Sequence, residues 1–355
     1  MPFPILRTPF VVLSEIISLL EPNEIVTASL CSKKVKCLLT RHYQRRKPLG
    51  WRLYMIDYES TGRVDIVTSK DYERVTVISA KHISELNIRA YAFNTEFQFL
   101  YFEDRVIGSK MIADYVTDLF NLDIYGLEID RYGMWAIDWI NNQQEKMLVR
   151  FEFLQNVFFV YNSFGDEALD YALRNAPASN CCIFEEFVSD NFRFDGKLGP
   201  ANHMLIGPYG HWVTLSNFVN FDVISIVVNR CSLSVSDIYS FIRHWRAGGS
   251  PRMTFLRLEL GTATNFENFE EEFEVVETDI SGEYSLSDFT NDYSRKNKHF
   301  VNGYSIQRND GVKAVIHYDD NCHFVMMVCP GENLHDRINY SKENFDQHFL
   351  LHQNV

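Results

Sequence analysis

The sequence lacks the short motifs that carry most enzymatic chemistry. It contains neither a phosphate-binding P-loop nor a dinucleotide-binding glycine pattern, and its glycines fall at predicted turns. The zinc-protease motif His-Glu-x-x-His and the nucleophile motif Gly-x-Ser-x-Gly are also missing. We therefore expect a protein that is not an enzyme and that uses no cofactor.

A cysteine framework for metal or disulfide chemistry is missing as well. The chain has seven cysteines and no Cys-x-x-Cys pair, which is typical of reduced, mostly buried thiols in a cytosolic protein. The one Cys/His cluster is His317, Cys322, His323 and Cys329. Because Cys322 and His323 would point to opposite faces of a strand, a shared metal ion is disfavoured, and we predict no metal site.

Long hydrophobic runs and an excess of positive charge are absent too. No stretch approaches 18 apolar residues, and no secretion signal precedes the first polar segment, so we expect no membrane partner. The formal net charge of −13 argues against a nucleic-acid partner. A hydrophobic content of 46% is that of a globular chain. We expect a cytoplasmic protein, with entry into the nucleus left open.

What the sequence does contain is an N-terminal segment with more apolar surface than it can bury by itself. Six apolar residues follow Pro9 at helical spacing: Val12, Leu13, Ile16, Ile17, Leu19 and Leu20. Pro22 predicts the start of a second helix, and Glu24 adds negative charge to its first turn. Because about 40 residues is near the lower limit for independent folding, the surplus apolar surface predicts a protein partner.

Residues 3–37 resemble an F-box, the module that docks onto the Skp adaptor of cullin-based ubiquitin ligases. The matching residues are Phe3, Leu6, Pro9, Ile16, Leu19, Pro22, Glu24, Ile25, Ser29, Cys31, Ser32 and Lys33, with Thr8-Pro9 in place of the common Leu-Pro. The resemblance implies that the Skp adaptor, and through it a cullin, binds Phe3, Leu6, Pro9, Leu13, Ile16, Pro22 and Ile25. The alternative is an ordinary N-terminal helical hairpin of a larger domain.

The next stretch, residues 25–56, is strongly basic. It has no acidic residue and eight basic ones: Lys33, Lys34, Lys36, Arg41, Arg45, Arg46, Lys47 and Arg52. Its end, 46–52, predicts a linker between two modules, with a nuclear-import or phosphate-binding patch as the alternatives.

Beyond residue 51 the apolar pattern predicts an α/β domain built from repeats. Strands are predicted at 51–56, 63–67, 74–78 and 97–102, followed by a helix at 111–120 capped near Ser109. The spacing apolar-x-x-apolar-x-apolar then recurs from Leu119, Leu148, Phe221 and Met253, with a weaker copy from Ser179. Amphipathic helices between several copies, one with a capping box at 234–237, favour a leucine-rich-repeat-like, roughly parallel sheet.

The C-terminal part of the chain predicts a β-meander. Its strands are expected at 304–308, 312–318 and 322–329, where they would cover the edge of the sheet. Residues 267–283 hold eight acidic side chains and no basic one. Phenylalanines at three- to four-residue steps favour a helix with a solvated acidic face there, with a site for a basic partner as the alternative.

The region from about 51 to 330 resembles the type 2 F-box-associated domain (FBA_2) of the large nematode F-box family. The matching segments are 114–121, 213–218, 238–248 and 306–314. The resemblance implies an F-box at 1–45, a basic linker at 46–52, the α/β repeat domain with flanking β-meanders at 53–330, and a polar tail at 331–355.

This organisation predicts an α+β or α/β chain in which a three-helix F-box precedes a leucine-rich-repeat-like domain. By resemblance it would be a non-catalytic substrate-recognition adaptor of a Skp-cullin-F-box ubiquitin ligase, holding an unknown target protein. The alternative is a repeat-type binding scaffold unconnected to ubiquitin ligases. Candidate target-binding residues are Tyr209, His211 and Trp212, in a glycine-flanked loop that we expect to be exposed.

Overall fold

The computed structural model describes most of the chain, in stretches separated by short gaps. The described residues are 9–48, 50–59, 61–68, 74–87, 97–155, 164–261, 266, 268–275, 277–278, 282–284, 298–300, 303–318 and 322–329. The chain divides into two compact units, 1–148 and 149–355, and each unit is described by itself. None of the helices in these described stretches is long and apolar enough to cross a membrane.

The first unit combines N-terminal helices with a mixed sheet. Its helices are α1 (Phe10–Ser18), α2 (Pro22–Cys31), α3 (Lys33–Arg45), α4 (Arg105–Phe120) and α5 (Trp135–Gln143). Its strands are β1 (Arg52–Tyr58), β2 (Thr61–Val67), β3 (Arg74–His82), β4 (Gln98–Phe102) and β5 (Ile124–Ile129), and a 3-10 turn spans Ile83–Asn87. The strand order is β5-β1-β2-β3-β4, in which β1 runs parallel to β5 and antiparallel to β2.

The N-terminal helices pack on α4 rather than standing apart from it. Tyr43 of α3 lies with its ring centroid 5.0 Å from that of Phe120, which also contacts the Trp51 ring. Ser29 of α2 and Tyr115 of α4 share a hydrogen bond of 2.8 Å between their hydroxyls. The predicted boundary at 45–53 therefore falls inside the first compact unit.

Local sequence explains where these helices begin. Glu21 and Glu24 form a reciprocal capping box at the start of α2, where Pro22 occupies the first turn. The start of α4 differs from the prediction, because Asp104 caps it by accepting a hydrogen bond of 3.1 Å from the Ile107 amide. Ser109, the predicted cap, lies buried one turn inside the helix.

The second unit contains the longer sheet. Its helices are α6 (Asp166–Asn175), α7 (Leu215–Asn220), α8 (Val235–Arg246) and α9 (Phe269–Phe273), with a 3-10 turn at Gly210–Trp212. Its strands are β6 (Leu148–Leu154), β7 (Ala178–Glu185), β8 (Ala201–Ile206), β9 (Val223–Cys231), β10 (Phe255–Leu260), β11 (Glu277–Thr278), β12 (Gly282–Tyr284), β13 (Lys298–Phe300), β14 (Gly303–Gln307), β15 (Lys313–Tyr318) and β16 (His323–Cys329). The order is β11-β14-β15-β16-β10-β9-β8-β7-β6, and β12 pairs with β13 separately.

From β6 to β10 the strands of this sheet follow the order of the chain. β7, β8, β9 and β10 run parallel to one another, and helices α6, α7 and α8 lie in the connections. Both faces of β7 are buried, since Cys181 and Ile183 point to one side and Cys182 and Phe184 to the other. A strand whose centre is apolar on both sides needs cover on both faces.

Most strands of the second unit coincide with predicted copies of the apolar spacing or with the predicted meander. The copy from Leu119 is wrong as a strand, because Leu119 lies in the last turn of α4 and β5 begins only at Ile124. The short strands β11, β12 and β13 were not predicted. Strand β8 lies inside the long interval between predicted copies and was not predicted. The meander β14-β15-β16 is antiparallel, as expected. The acidic helix is present as α9, which is only five residues long and buries Phe269 and Phe273. The chain is therefore an α+β protein with a large mixed sheet.

Candidate partner-binding surfaces

Helix α1 has two apolar faces, and the described residues cover only one of them. Leu13 and Ile17 are buried, whereas Val12 is 49% exposed and Leu19, at the C-terminal cap, is 80% exposed. Ile16 lies half-buried between them. Positions 12, 16 and 19 fall on one side of a helix, so they form an outward apolar stripe, hereafter the α1 stripe.

The residues assigned to the Skp adaptor by resemblance divide between surface and interior. Pro9 is exposed and Ile16 is partly exposed, so both are available to a partner. Leu13, Pro22 and Ile25 are buried within the first unit and contribute to its packing. Phe3 and Leu6 lie outside the described residues.

The α1 stripe also contains two residues that were not among the predicted contacts. Val12 and Leu19 carry more exposed apolar surface than any predicted contact residue on α1. The signal in the sequence was the i, i+4, i+7 spacing from Val12, which runs beside the buried Leu13 and Ile17. Since both stripes are apolar, spacing alone does not say which of them faces outward.

A second surface lies at the carboxyl ends of strands β7 and β8. Phe164 is 57% exposed, and its ring centroid lies 5.0 Å from that of Phe187, which in turn lies 4.9 Å from the Tyr209 ring. Phe187 follows β7, and Tyr209 follows the parallel strand β8. Ligands of open α/β sheets bind beyond the carboxyl ends of the strands, so this aromatic row is a candidate target-binding surface.

The predicted target-binding residues are only partly on this surface. Tyr209 and His211 are partly buried, and His211 Nε2 lies 3.0 Å from the Ser189 carbonyl oxygen. Trp212 is 1% exposed, so the expectation that it is a surface residue is wrong. Its indole packs edge-on against Phe192 and Phe194, which cover it because the 3-10 turn directs it inward.

Next to the aromatic row, a shallow cleft of about 380 Å³ runs along α6. It is lined by Asp166, Glu167, Asp170, Tyr171, Arg174, Asn175 and Phe192. Asp166 accepts hydrogen bonds from the amide and hydroxyl of Ser189, and Arg174 pairs with Asp170. These pairs fix the shape of the cleft wall, and the cleft remains open to solvent.

Charged groups buried in the first unit serve a structural purpose. Asp57 is fully buried at the end of β1, where Arg105 Nη1 donates a hydrogen bond of 2.6 Å to its Oδ1 and Trp135 Nε1 donates one of 3.2 Å. Burial raises the pKa of the Asp57 carboxyl, and the hydrogen bond and charge of Arg105 oppose this shift. Because Asp57 is fully buried and paired with Arg105, we assign this network to the core.

The structure offers no grouping suited to a metal ion in the portion it describes: no three His, Cys, Asp or Glu side chains converge there. The thiols of Cys182 and Cys231 are buried, and burial raises the pKa of Cys182 to about 12 and that of Cys231 to about 11. Neither is a nucleophile at neutral pH.

Two of the three rings of the aromatic row, Phe187 and Tyr209, and the buried Trp212 lie in a part of the chain that matches a known family. Residues 184–258 match the F-box associated family, FBA_2. This F-box-associated segment covers about a fifth of the chain and runs from the end of β7 to β10. It contains Phe187, Tyr209 and His211, and the match supports a substrate-binding role of the kind that F-box-associated domains have. Comparison with curated proteins and with solved structures gave no match.

Proposed function

We propose that the chain is a non-catalytic substrate-recognition adaptor of a Skp-cullin-F-box ubiquitin ligase. The observation that carries the proposal is the F-box-associated segment, which follows three N-terminal helices with an uncovered apolar stripe. The N-terminal helices act as the F-box and bind the Skp adaptor, which connects the chain to a cullin. The parallel strands of the second unit act as a leucine-rich-repeat-like frame for target binding.

The α1 stripe is the contact that the proposal assigns to the Skp adaptor. Burying an exposed leucine side chain contributes about 1.5–3 kcal/mol, and the large exposed fraction of Leu19 places it near the middle of this range. Val12, Ile16 and Pro9 extend the same surface. The buried side chains of Leu13, Pro22 and Ile25 pack α1 and α2 into the first unit and so support this surface.

The aromatic row formed by Phe164, Phe187 and Tyr209 is assigned to the target protein. Aromatic rings dominate the energetics of protein interfaces, because each buries a large apolar area at a small cost in side-chain entropy. The chain would then act by proximity, since a bound target presents its lysines to the ubiquitin-loading enzyme at a raised effective concentration. Such an adaptor needs neither catalytic residue nor cofactor, and we place it in the cytoplasm, with access to the nucleus.

The proposal is tested by co-expression with a Skp adaptor and affinity recovery of the complex. Wild-type chain should retain the adaptor, whereas the variants Leu19→Asp and Pro9→Ala/Ile16→Asp should lose it. Met147→Asp is the matched control, because Met147 is 48% exposed and lies outside the N-terminal helices. Equal recovery of adaptor with all four proteins would contradict the proposal.

A second candidate function is a binding scaffold whose N-terminal helices only complete the first unit. The packing of Tyr43 on Phe120 and the hydrogen bond between Ser29 and Tyr115 favour it, because they join the helices to α4. The scaffold predicts that no variant of the α1 stripe alters adaptor recovery, while variants of the aromatic row still weaken target binding.

A further inference from the structure

Charge is segregated along this chain to an unusual degree. Residues 25–56 carry eight basic and no acidic residues, while the whole chain has a net charge of −13, so the remainder carries −21. Most of the basic residues fall on α3 or directly after it. A helix of one sign in a chain of the opposite sign would ordinarily pair with the protein's own carboxylates.

Several basic residues elsewhere on the surface do find such partners. Arg174 pairs with Asp170, Arg243 with Glu272, and Arg252 with Asp222. Lys146 likewise lies 2.9 Å from Asp123. Exposed cations of this fold therefore pair readily with carboxylates when carboxylates are near.

The exposed cations of α3 have no carboxylate partner among the described residues. Lys33, Lys34, Arg41 and Arg45 are all exposed and form no ion pair there. Lys36 differs, since its Nζ lies 3.9 Å from the centroid of the Tyr115 ring. The four free cations form an exposed surface that we call the α3 basic face.

The basic face lies in the same helical group as the α1 stripe. Arg46, at the C-terminal cap of α3, donates a hydrogen bond of 3.0 Å from Nη1 to the Ser14 hydroxyl on α1. An apolar stripe with cations nearby is complementary to an apolar groove with carboxylates along its rim. Opposite charges around such a contact raise the association rate and select the partner.

We infer that the N-terminal helices recognise an acidic protein surface, with the α1 stripe entering its apolar groove and the α3 basic face meeting its carboxylates. The inference rests on the proposed function, in which that partner is the Skp adaptor. It adds that electrostatic attraction guides docking, so that the association rate depends on salt and on the charges at 34, 41 and 45.

The test measures association of a purified Skp adaptor with the full chain at about 50 mM and about 500 mM salt. The variant Lys34→Glu/Arg41→Glu/Arg45→Glu is compared with the control Lys146→Glu/Lys197→Glu/Arg252→Glu, which changes the net charge equally at exposed positions of other elements. At low salt the α3 variant should associate at least about tenfold more slowly than wild type. The association rate of the control should stay within about twofold of the wild-type rate. At the higher salt concentration the rates of wild type and the α3 variant should converge.

Each outcome separates the inference from the proposed function. Adaptor binding that is equal for wild type and the α3 variant at both salts overturns the inference and leaves the proposed function standing. Failure of wild-type chain to bind adaptor at either salt refutes both. Two further arms use phosphatidylserine vesicles and duplex DNA. Suppose that wild type binds the vesicles or the DNA, and that the α3 variant loses this binding but associates with the adaptor as fast as wild type. That result would overturn the inference that the partner of the α3 basic face is an acidic protein.

Discussion

Truncating Tyr43 to alanine should release the N-terminal helices from the first unit. Tyr43 is buried, and its ring lies 5.0 Å from Phe120 and 6.0 Å from Trp51, measured between ring centroids. Removing a large buried aromatic side chain typically costs 3–5 kcal/mol. Because Tyr43 lies at the end of α3, near the surface of the cluster, we expect a loss of about 3 kcal/mol in the stability of the packed state of α3.

Hydrogen exchange of the α3 amides measures this loss where it occurs. A change of about 3 kcal/mol corresponds to an increase of roughly 100-fold in the exchange rate of these amides, since each 1.4 kcal/mol is tenfold. Trypsin should cut the variant faster after Arg41, Arg45 and Arg46, which are exposed but lie on or next to an ordered helix.

Two controls separate the packing effect from a general one. Tyr43→Phe keeps the ring and should change exchange only slightly, by less than about 1.5 kcal/mol. Tyr132→Ala removes a half-exposed tyrosine of the same unit and should leave α3 unchanged. Exchange of α3 within about threefold of wild type in Tyr43→Ala would refute the packing of these helices on α4.

Three other substitutions test the cores and the caps. The Asp57→Asn variant should gain stability relative to wild type as pH rises from about 4. The pKa of Asp57 is higher in the folded state than in the unfolded state, so the wild-type protein loses folding free energy as the folded carboxyl ionises, in spite of Arg105. Urea unfolding measured across pH would contradict this if wild type gained stability relative to the variant instead. Gly62→Ala should cost about 1–3 kcal/mol in thermal or urea unfolding, because an added Cβ would lie 1.9 Å from the Ser109 Oγ, and an unchanged midpoint would refute the contact. Ser234→Ala should cost about 1 kcal/mol by removing the cap of α8, whereas equal exchange of the first α8 amides in both proteins would show that the cap is not made.

Several strands and the parallel arrangement of β9 and β10 follow from short-range patterns in the sequence, whereas β8 and the short strands β11 to β13 do not. Leu256 and Leu258 alternate with charged residues, and Ser234 and Asp237 form the predicted capping box. Pairing in chain order then follows from helical connections of moderate length between parallel strands. Local signals of this kind are visible without the structure because each involves residues within a few positions of one another.

The candidate surfaces were harder to predict, because exposure depends on contacts between distant residues. Trp212 lies in a glycine-flanked turn that is typical of a surface loop, yet Phe192 and Phe194 bury it from about 20 residues away. On α1, Val12 and Leu13 are equally apolar, and only the packing of the first unit decides that Leu13 faces inward. The sequence places the start of α4 too late, because Asp104 and Ser109 are both good capping residues.

A photo-crosslinking amino acid placed at position 19 tests the central claim most directly. Leu19 lies on the α1 stripe, and Met147, outside the N-terminal helices, provides the control position. In cells expressing the full chain, the proposed adaptor role predicts that the probe at 19 crosslinks to the Skp adaptor, identified by mass spectrometry, and that the probe at 147 does not. Crosslinks from position 19 to other proteins only, with the adaptor present, would contradict it.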